Sequence, residues 1–313
     1  MNFQDAINAQ KSGKLQKADK IYKKLLNQNP ENFEILFNYA VLNFDLKDYI
    51  KSENLFKKAI LLNAHNHQVF NGYGVLLKEL NKDEEAAENF YKSIEIKNDY
   101  LNAHLNLFQI YKKYNNQEEM LKIIDKIISI KPDFPIMYHE KASILQDLEK
   151  FDEAINVIKE VFKYEEHTIE NYLRLHDIYQ KKNNLEKCKE ISIKLIDTLE
   201  KKIEKNNKDY DLYFALGVAY KKFNDLENAV KNLKLAIQFN SSNENYFFEL
   251  AEIYKQMKEF SNAKENFERA IKIKPLNIAT NINYAILIND EFGESEKAKK
   301  IIFNISAWLL YFL

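Results

Sequence analysis

The chain has 313 residues and carries 46 Lys and Arg against 47 Asp and Glu, which gives a net charge of −1. This balance argues against a sequence-independent attraction to nucleic acid or to an acidic membrane surface. A single cysteine, Cys188, excludes disulfide bonds within the chain. Residues 1–14 lack the basic segment and apolar core of a secretion signal. We therefore predict a cytoplasmic protein that binds no nucleic acid and has no membrane span.

A five-residue pattern recurs along the chain in steps of 34 residues. The matching stretches are Tyr39–Asn43, Tyr73–Leu77, Leu216–Tyr220, Leu250–Tyr254 and Tyr284–Ile288. Pro30 and Pro132 stand 102 residues apart, which is three periods. A period of this size indicates units that bury their apolar faces only by stacking on their neighbours.

Counted in this phase, the chain divides into nine units, each with two amphipathic segments joined by a short polar turn. The units span residues 1–32, 33–66, 67–100, 101–134, 135–168, 169–209, 210–243, 244–277 and 278–306, and an apolar tail follows at 307–313. Positions are numbered below from the first residue of each unit, except that the shorter first unit begins at position 3.

The sixth unit, 169–209, is longer than the others, with 41 residues instead of 34. Seven extra residues are close to two helical turns, so they lengthen a helix without rotating its apolar face. We predict a protruding second helix from about Leu185 to Lys205. Two interpretations remain open: an insertion tolerated in a solvent-facing helix, or a partner-specific finger.

Small and large residues alternate at fixed positions of the units. Position 8 is small in Ala40, Gly74, Ala142, Gly217, Ala251 and Ala285, and position 20 is small in Ala18, Ser52, Ala86, Ala154, Cys188, Ala229 and Ala263. A small residue on each helix lets the two backbones approach, and rings such as Tyr22, Phe56, Phe90 and Phe267 at position 24 fill the remaining space. Phe108, Met120 and His176 break the rule, so units four to six are expected to pack less regularly.

This alternation resembles the tetratricopeptide repeat family over residues 1–305. The resemblance implies an all-α fold, a right-handed α-solenoid superhelix of about nine antiparallel helix pairs, forming one solenoid over 1–313. It also implies that the first helices line a concave groove, with positions 2, 5, 9 and 12 on its wall. At these positions and at position 6, the implied peptide-binding residues are Phe37, Val41, Phe44, Asn71, Lys78, Asn106, Gln109, Lys112, His139, Asp177, Phe214, Val218, Lys221, Phe248 and Lys255.

Several of these residues support more than one interpretation. The apolar ones are either peptide anchors or residues covered by neighbouring turns of the superhelix: Phe37, Val41, Phe44, Phe214, Val218 and Phe248. The lysines at position 12 either hold an acidic segment or only add solubilising charge. The Lys and Asn pattern of chaperone-binding relatives is missing. The asparagine ladder of glycosyltransferase-linked relatives is broken, since position 6 holds Asn only in Asn38, Asn106 and Asn283.

No residue pattern indicates catalysis, a cofactor or a metal. Gly72 and Gly74 lie inside a predicted helix and follow no strand, so they do not form a phosphate loop. The six histidines are scattered without metal-ligand spacing. Cys188 occupies a small helix-contact position and is interpreted as structural.

We therefore predict a non-catalytic scaffold that binds an extended peptide or a partner protein in its groove. The alternative is the substrate-recognition arm of a repeat-bearing glycosyltransferase or sulfotransferase whose catalytic part is absent. The apolar end at residues 301–313 motivates that alternative, because stacked repeats normally finish with a polar outer face. Thirteen residues are too few to span a bilayer. Self-association or contact with a membrane surface through this end are further interpretations.

Overall fold

A computed structural model describes residues 2–165 and 168–312, with side chains through residue 305. The described residues form eighteen helices and no strand. They are α1 Phe3–Lys11, α2 Leu15–Gln28, α3 Phe33–Asp45, α4 Tyr49–Leu62, α5 His67–Glu79, α6 Asp83–Ile96, α7 Leu101–Lys113, α8 Gln117–Ile130, α9 Pro135–Asp147, α10 Phe151–Val161, α11 Ile169–Lys181, α12 Leu185–Lys205, α13 Tyr210–Lys222, α14 Leu226–Phe239, α15 Glu244–Gln256, α16 Phe260–Ile273, α17 Ile278–Asp290 and α18 Ser295–Phe312.

The helices belong to two compact units, an N-terminal unit Met1–Glu149 and a C-terminal unit Lys150–Leu313. In the N-terminal unit α1 to α8 pair into four hairpins, and in the C-terminal unit α11 to α18 pair into four more. Within each unit, the second helix of one hairpin contacts the first helix of the next. The all-α prediction of stacked helix pairs is confirmed. The organisation as a single solenoid over 1–313 stays a prediction.

Each predicted unit boundary from 33 onward is also the start of a helix. All eight first positions, from Phe33 to Ile278, are the first residues of the odd-numbered helices α3 to α17. Most of these starts have an N-cap side chain that accepts a backbone N–H from the first turn, as Asn32 does from Ile35 and Asn277 from Thr280. Such caps satisfy helix N–H groups that have no partner inside the helix.

The turn after each first helix contains one residue in the left-handed region, at the same place in the unit except for Gly293, which stands one residue later. These residues are Gly13, Lys47, Asn81, Asn115, Glu149, Asn183, Asn224, Lys258 and Gly293, with φ between 50° and 74°. At the second turn, Asp48 N–H donates to Asn43 C=O at 2.9 Å, which closes the end of the first helix. The left-handed region is unfavourable for residues with a Cβ other than Asn and Asp.

We expect Lys47→Gly and Lys258→Gly each to raise the free energy of unfolding by about 0.5–1 kcal/mol. Glycine adopts the left-handed region without steric cost, and this gain exceeds the extra entropy that glycine gives the unfolded chain. Urea unfolding followed by far-UV circular dichroism measures the change. Asn81→Gly is the matched control and should gain less, because Asn tolerates this conformation. An unchanged or lower stability of both Lys variants would contradict the expectation.

The small and large positions pack as the sequence predicts. Phe90 at position 24 is fully buried, and a Cβ added to Gly74 at position 8 would lie 2.6 Å from its ring. In the C-terminal unit, a Cβ added to Gly217 would lie 2.8 Å from Leu233, which again stands at position 24. The side chain at position 24 therefore uses the space that the small residue leaves open.

One buried carboxylate links neighbouring hairpins of the N-terminal unit and was not anticipated from the sequence. Asp83, the first residue of α6, accepts hydrogen bonds from Lys113 Nζ at 2.5 Å and Tyr114 Oη at 2.8 Å. Burial raises the pKa of Asp83, but the two hydrogen bonds outweigh burial and hold it below its usual value.

Asp83→Asn is expected to lose stability at neutral pH and to flatten the acid limb of the stability curve. Because the folded-state pKa is lowered, the contribution of Asp83 is fully present above the unfolded-state pKa of about 3.9 and disappears as pH falls through the folded value. Urea unfolding at pH 7, 4.5 and 3 measures how much lower the free energy of unfolding of the variant is than that of the original chain. This difference should be the same at pH 7 and 4.5 and smaller at pH 3. Exposed Asp133→Asn is the control, and a difference that does not change with pH would refute the role of Asp83.

The lengthened helix of the sixth unit is confirmed, since α12 spans Leu185–Lys205. The prediction that it protrudes needs correction. Leu199, inside the insertion, is fully buried, and Glu200 accepts a hydrogen bond from Tyr220 of α13 at 3.0 Å. The two extra turns keep the apolar face of the helix in phase, so the insertion extends the core instead of standing clear of it.

The apolar tail at 307–313 lies outside the residues whose side chains the structure describes, so its predicted exposure stays a prediction. Within the described residues, no helix combines the length and apolarity that crossing a bilayer requires. The same part of the chain contains no group of three or more His, Cys, Asp or Glu placed to hold a metal ion.

Candidate functional site

The first helices of consecutive hairpins touch one another. In the N-terminal unit α3 contacts α5 and α5 contacts α7, and in the C-terminal unit α13 contacts α15. Within each unit, the predicted groove residues of these helices therefore lie on first helices that contact one another. We call them the N-terminal wall and the C-terminal wall. The N-terminal wall is Phe37, Val41, Phe44, Asn71, Lys78, Asn106, Gln109 and Lys112, and the C-terminal wall is Phe214, Val218, Lys221, Phe248 and Lys255.

The apolar residues of the N-terminal wall are half-buried. Phe37 stacks on Phe33 and packs edge-on against Phe56, with ring centroids 6.1 Å and 6.2 Å apart. Phe44 packs against Tyr49 at 5.9 Å, and Val41 rests on the same core. One face of each side chain stabilises the hairpin, and the other remains accessible.

The C-terminal wall repeats this arrangement. Phe214 lies 4.7 Å from the ring of Tyr246, and Phe248 lies 5.9 Å from Phe267, one of the buried rings at position 24. Val218, one turn after Phe214 on α13, is also half-buried. The walls of both units therefore offer apolar surface that is held in place by the core.

Two asparagines meet on the N-terminal wall. Asn106 Nδ2 of α7 donates to Asn71 Oδ1 of α5 at 3.1 Å, and both residues are half-buried. The amide N–H groups of Asn71 and the amide oxygen of Asn106 have no partner among the described residues. By contrast, Asn38 and Asn283 donate to the carbonyls of Glu34 and Ala279 in their own helices.

The lysines at position 12 are mostly engaged inside the protein. Lys112 pairs with Glu140 at 2.5 Å, and Lys221 pairs with Glu249 at 2.7 Å. In both pairs the glutamate lies 28 residues after the lysine, at position 6 of the next unit. Lys255 pairs with Glu252 at 2.7 Å and reaches Asn283 at 3.5 Å. These contacts join consecutive first helices and favour a structural role over free basic rows. Lys78 has no ion-pair partner among the described residues.

The remaining predicted residues differ from one another. His139 is only 8% exposed, so the side chain predicted on the groove wall is in fact buried in α9. Asp177 of α11 pairs with Lys222 of α13 at 2.6 Å and is half-exposed. Gln109 is exposed. Of these three residues, Gln109 is accessible, Asp177 forms an ion pair and His139 is buried.

Comparisons with known proteins agree with the repeat seen in the sequence. A model of the tetratricopeptide repeat matches residues 67–100, 136–168, 210–243 and 245–275, and a second model of the same repeat matches residues 3–60. Together they cover more than half of the chain. No curated protein matches the chain significantly.

Two solved structures show the same fold at low sequence identity, and a third is similar at a lower score. The C-terminal part of a TPR repeat-containing protein from Cytophaga hutchinsonii is 13% identical with a TM-score of 0.56, covering 89% of this chain and 98% of that one. A tetratricopeptide repeat protein from Parabacteroides merdae is 15% identical with a TM-score of 0.50, covering 82% and 99%. MamA is 22% identical with a TM-score of 0.47, covering 53% and 96%. Nothing in these matches supports the enzyme-arm alternative.

Proposed function

Because this chain belongs to the tetratricopeptide repeat family, we propose that it is a non-catalytic interaction scaffold that binds an extended segment of a partner protein along its first-helix walls. The observation that carries this proposal is the contact between Asn71 and Asn106, 3.1 Å apart on the N-terminal wall.

An asparagine side chain has the same donor and acceptor groups as a peptide unit. With one hydrogen bond between them, Asn71 retains amide donors and Asn106 retains an acceptor. An extended backbone lying across α5 and α7 would satisfy both at once. The mutual hydrogen bond also fixes the two side chains, which lowers the entropy lost when a ligand binds.

Apolar surface adjoins the two amides and supplies specificity. The ring of Phe37 lies 3.5 Å from the place where a Cβ on Gly72 would be, and Gly72 follows Asn71 in α5. Phe37, Val41 and Phe44 follow one another along α3 and each leaves one face uncovered. A bound segment would place its backbone on the amides and an apolar side chain on this row.

The test selects ligands for the full chain from a phage-displayed library of random 16-residue peptides. Affinities of selected peptides are then measured by fluorescence anisotropy. Asn71→Ala with Asn106→Ala should weaken binding at least tenfold, because each amide loses a hydrogen bond to the ligand backbone. Val41→Asp should weaken it similarly by placing an unpaired charge against the apolar row.

The control substitutions lie on an exposed face of α4, with Asn54→Ala and Lys58→Ala in one variant. This variant should bind the selected peptides with unchanged affinity. If no peptide is selected, or if every selected peptide binds the Asn71 and Asn106 variant as well as the original chain, the proposed wall is not the binding surface.

We also propose that the protein is cytoplasmic, where Cys188 stays reduced.

We further propose that the protein can self-associate through the apolar tail at 307–313, as a second mode of interaction. Sedimentation of the chain with and without residues 307–313 distinguishes that mode from binding of a foreign peptide.

A further inference from the structure

A cavity of about 420 Å³ lies in the C-terminal unit between the hairpin α11–α12 and the hairpin α13–α14. It is lined by side chains from three positions that pack closely in other units: His176 at position 8, Cys188 at position 20 and Ser192 at position 24. Each of the three is only 7% exposed. The volume falls in the range of cavities that hold ligands in proteins.

The residue at position 24 accounts for the cavity. In seven other units this position carries a large side chain that is at most 1% exposed: Tyr22, Phe56, Phe90, Ile124, Ile158, Leu233 and Phe267. Ser192 replaces that side chain with a hydroxymethyl group, and its Oγ donates to Cys188 C=O in its own helix at 2.7 Å. The sixth unit therefore lacks the group that fills the space between hairpins elsewhere.

The large residue at position 8 does not make up for this loss. His176 stands where most other units have Ala or Gly, and its ring packs against Phe223 of the α13–α14 turn at 5.1 Å. Both residues line the cavity without closing it. A bulky His at position 8 would also collide with a ring at position 24, so the two departures from the repeat belong together.

The rim of the cavity is apolar and open to solvent. Leu185 is 76% exposed and Ile193 is 59% exposed, and both line the cavity from α12. They stand eight positions apart, which places them on one face of the helix. Exposed aliphatic residues around an unfilled cavity are typical of a surface that a partner covers.

We propose that this cavity binds a bulky apolar side chain, aromatic or long aliphatic, presented by a partner polypeptide. The occupant follows from the repeat itself, because Phe90, Phe267 and their equivalents show which side chain fits between two such hairpins. The partner supplies from outside the group that Ser192 does not. The cavity is lined from α12, from α11 and α13 and from the α13–α14 turn, and its lining includes no residue of the N-terminal wall or the C-terminal wall.

The direct test uses N-acetyl-phenylalaninamide as the probe and methyl NMR spectra of the full chain. Millimolar probe should cause saturable shifts of the Leu185, Ile193 and Ile196 methyl signals, and N-acetyl-alaninamide should cause none. Ser192→Phe should weaken probe binding at least tenfold by filling the cavity, whereas Ser192→Ala should leave binding within twofold. Absence of saturable shifts, or full binding by a folded Ser192→Phe variant, would overturn the proposal.

A second readout does not depend on the folding of the Ser192→Phe variant. Cys188 is the only cysteine of the chain and lines the cavity, so its rate of labelling by a small thiol reagent reports access. Saturating probe should slow labelling of the original chain at least fivefold. In Leu185→Ser with Ile193→Ser, which changes only exposed residues, the probe should bind at least fivefold more weakly. A labelling rate that the probe does not affect would contradict the site.

Discussion

Phe90→Ala should lower the free energy of unfolding by about 3–5 kcal/mol, the usual cost of removing a buried aromatic ring. Phe90 is fully buried on α6 and lies against Gly74 of α5. The cavity left by its removal cannot collapse easily, because Gly74 adds no atoms on the facing side. In a stack of hairpins, loss of one contact also weakens coupling to the next hairpin. Urea unfolding followed by circular dichroism measures the change.

A matched control is Phe303→Ala, the same substitution at a residue that is 70% exposed. We expect it to change stability by no more than about 0.5 kcal/mol. A double-mutant cycle with Gly74→Ala then tests the pairing of positions 8 and 24. Gly74→Ala alone should cost about 1–3 kcal/mol through overpacking, and much less when Phe90 is already Ala. Additive effects of the two substitutions would show that the positions do not share one space.

The fold was predictable because its determinants are local and repeated. A side chain at position 24 and a small residue at position 8 belong to one hairpin, so their pattern is visible within 34 residues. The helix starts follow from N-caps such as Asn32 and Asn277, which are also local signals. Repetition in each unit made the phase certain even where Phe108 or His176 broke the pattern.

Which side chains of the candidate walls are paired or buried was less predictable, because this depends on contacts between units. The sequence contains no direct sign that Lys112 is paired, but Glu140 stands 28 residues later, and Lys221 and Glu249 have the same spacing. That recurrence was the available signal. The burial of His139 depends on how α9 packs in three dimensions, which no spacing in the sequence reveals.

Ser192 illustrates a signal that was present but was not used. The sequence already shows a hydroxymethyl group where Phe56, Phe90 and Phe267 stand in other units. Its consequence depends on whether a neighbour moves in to fill the space. A cavity of about 420 Å³ lies beside Ser192, so no neighbouring side chain fills the space. A departure from a repeat therefore becomes informative once the packing around it is known.

Leu199→Ala should lower the free energy of unfolding by about 2–5 kcal/mol, although Leu199 lies within the seven-residue insertion of the sixth unit. The side chain is fully buried, one turn beyond Leu195, which is also fully buried. Both continue the apolar face of α12 that begins at Cys188. If the insertion were a solvent-facing extension or a free finger, truncating one of its leucines would cost almost nothing.

The comparison that decides between these interpretations is Leu185→Ala in the same helix. Leu185 is 76% exposed, so an identical substitution there should change stability by about 0.5 kcal/mol or less. Both variants are measured by urea unfolding of the full chain. Equal and small effects would restore the finger as the better interpretation. A large loss at Leu199 alone means that the extra turns hold the sixth and seventh units together, and that only the outward face near Lys201 and Lys205 is available to a partner.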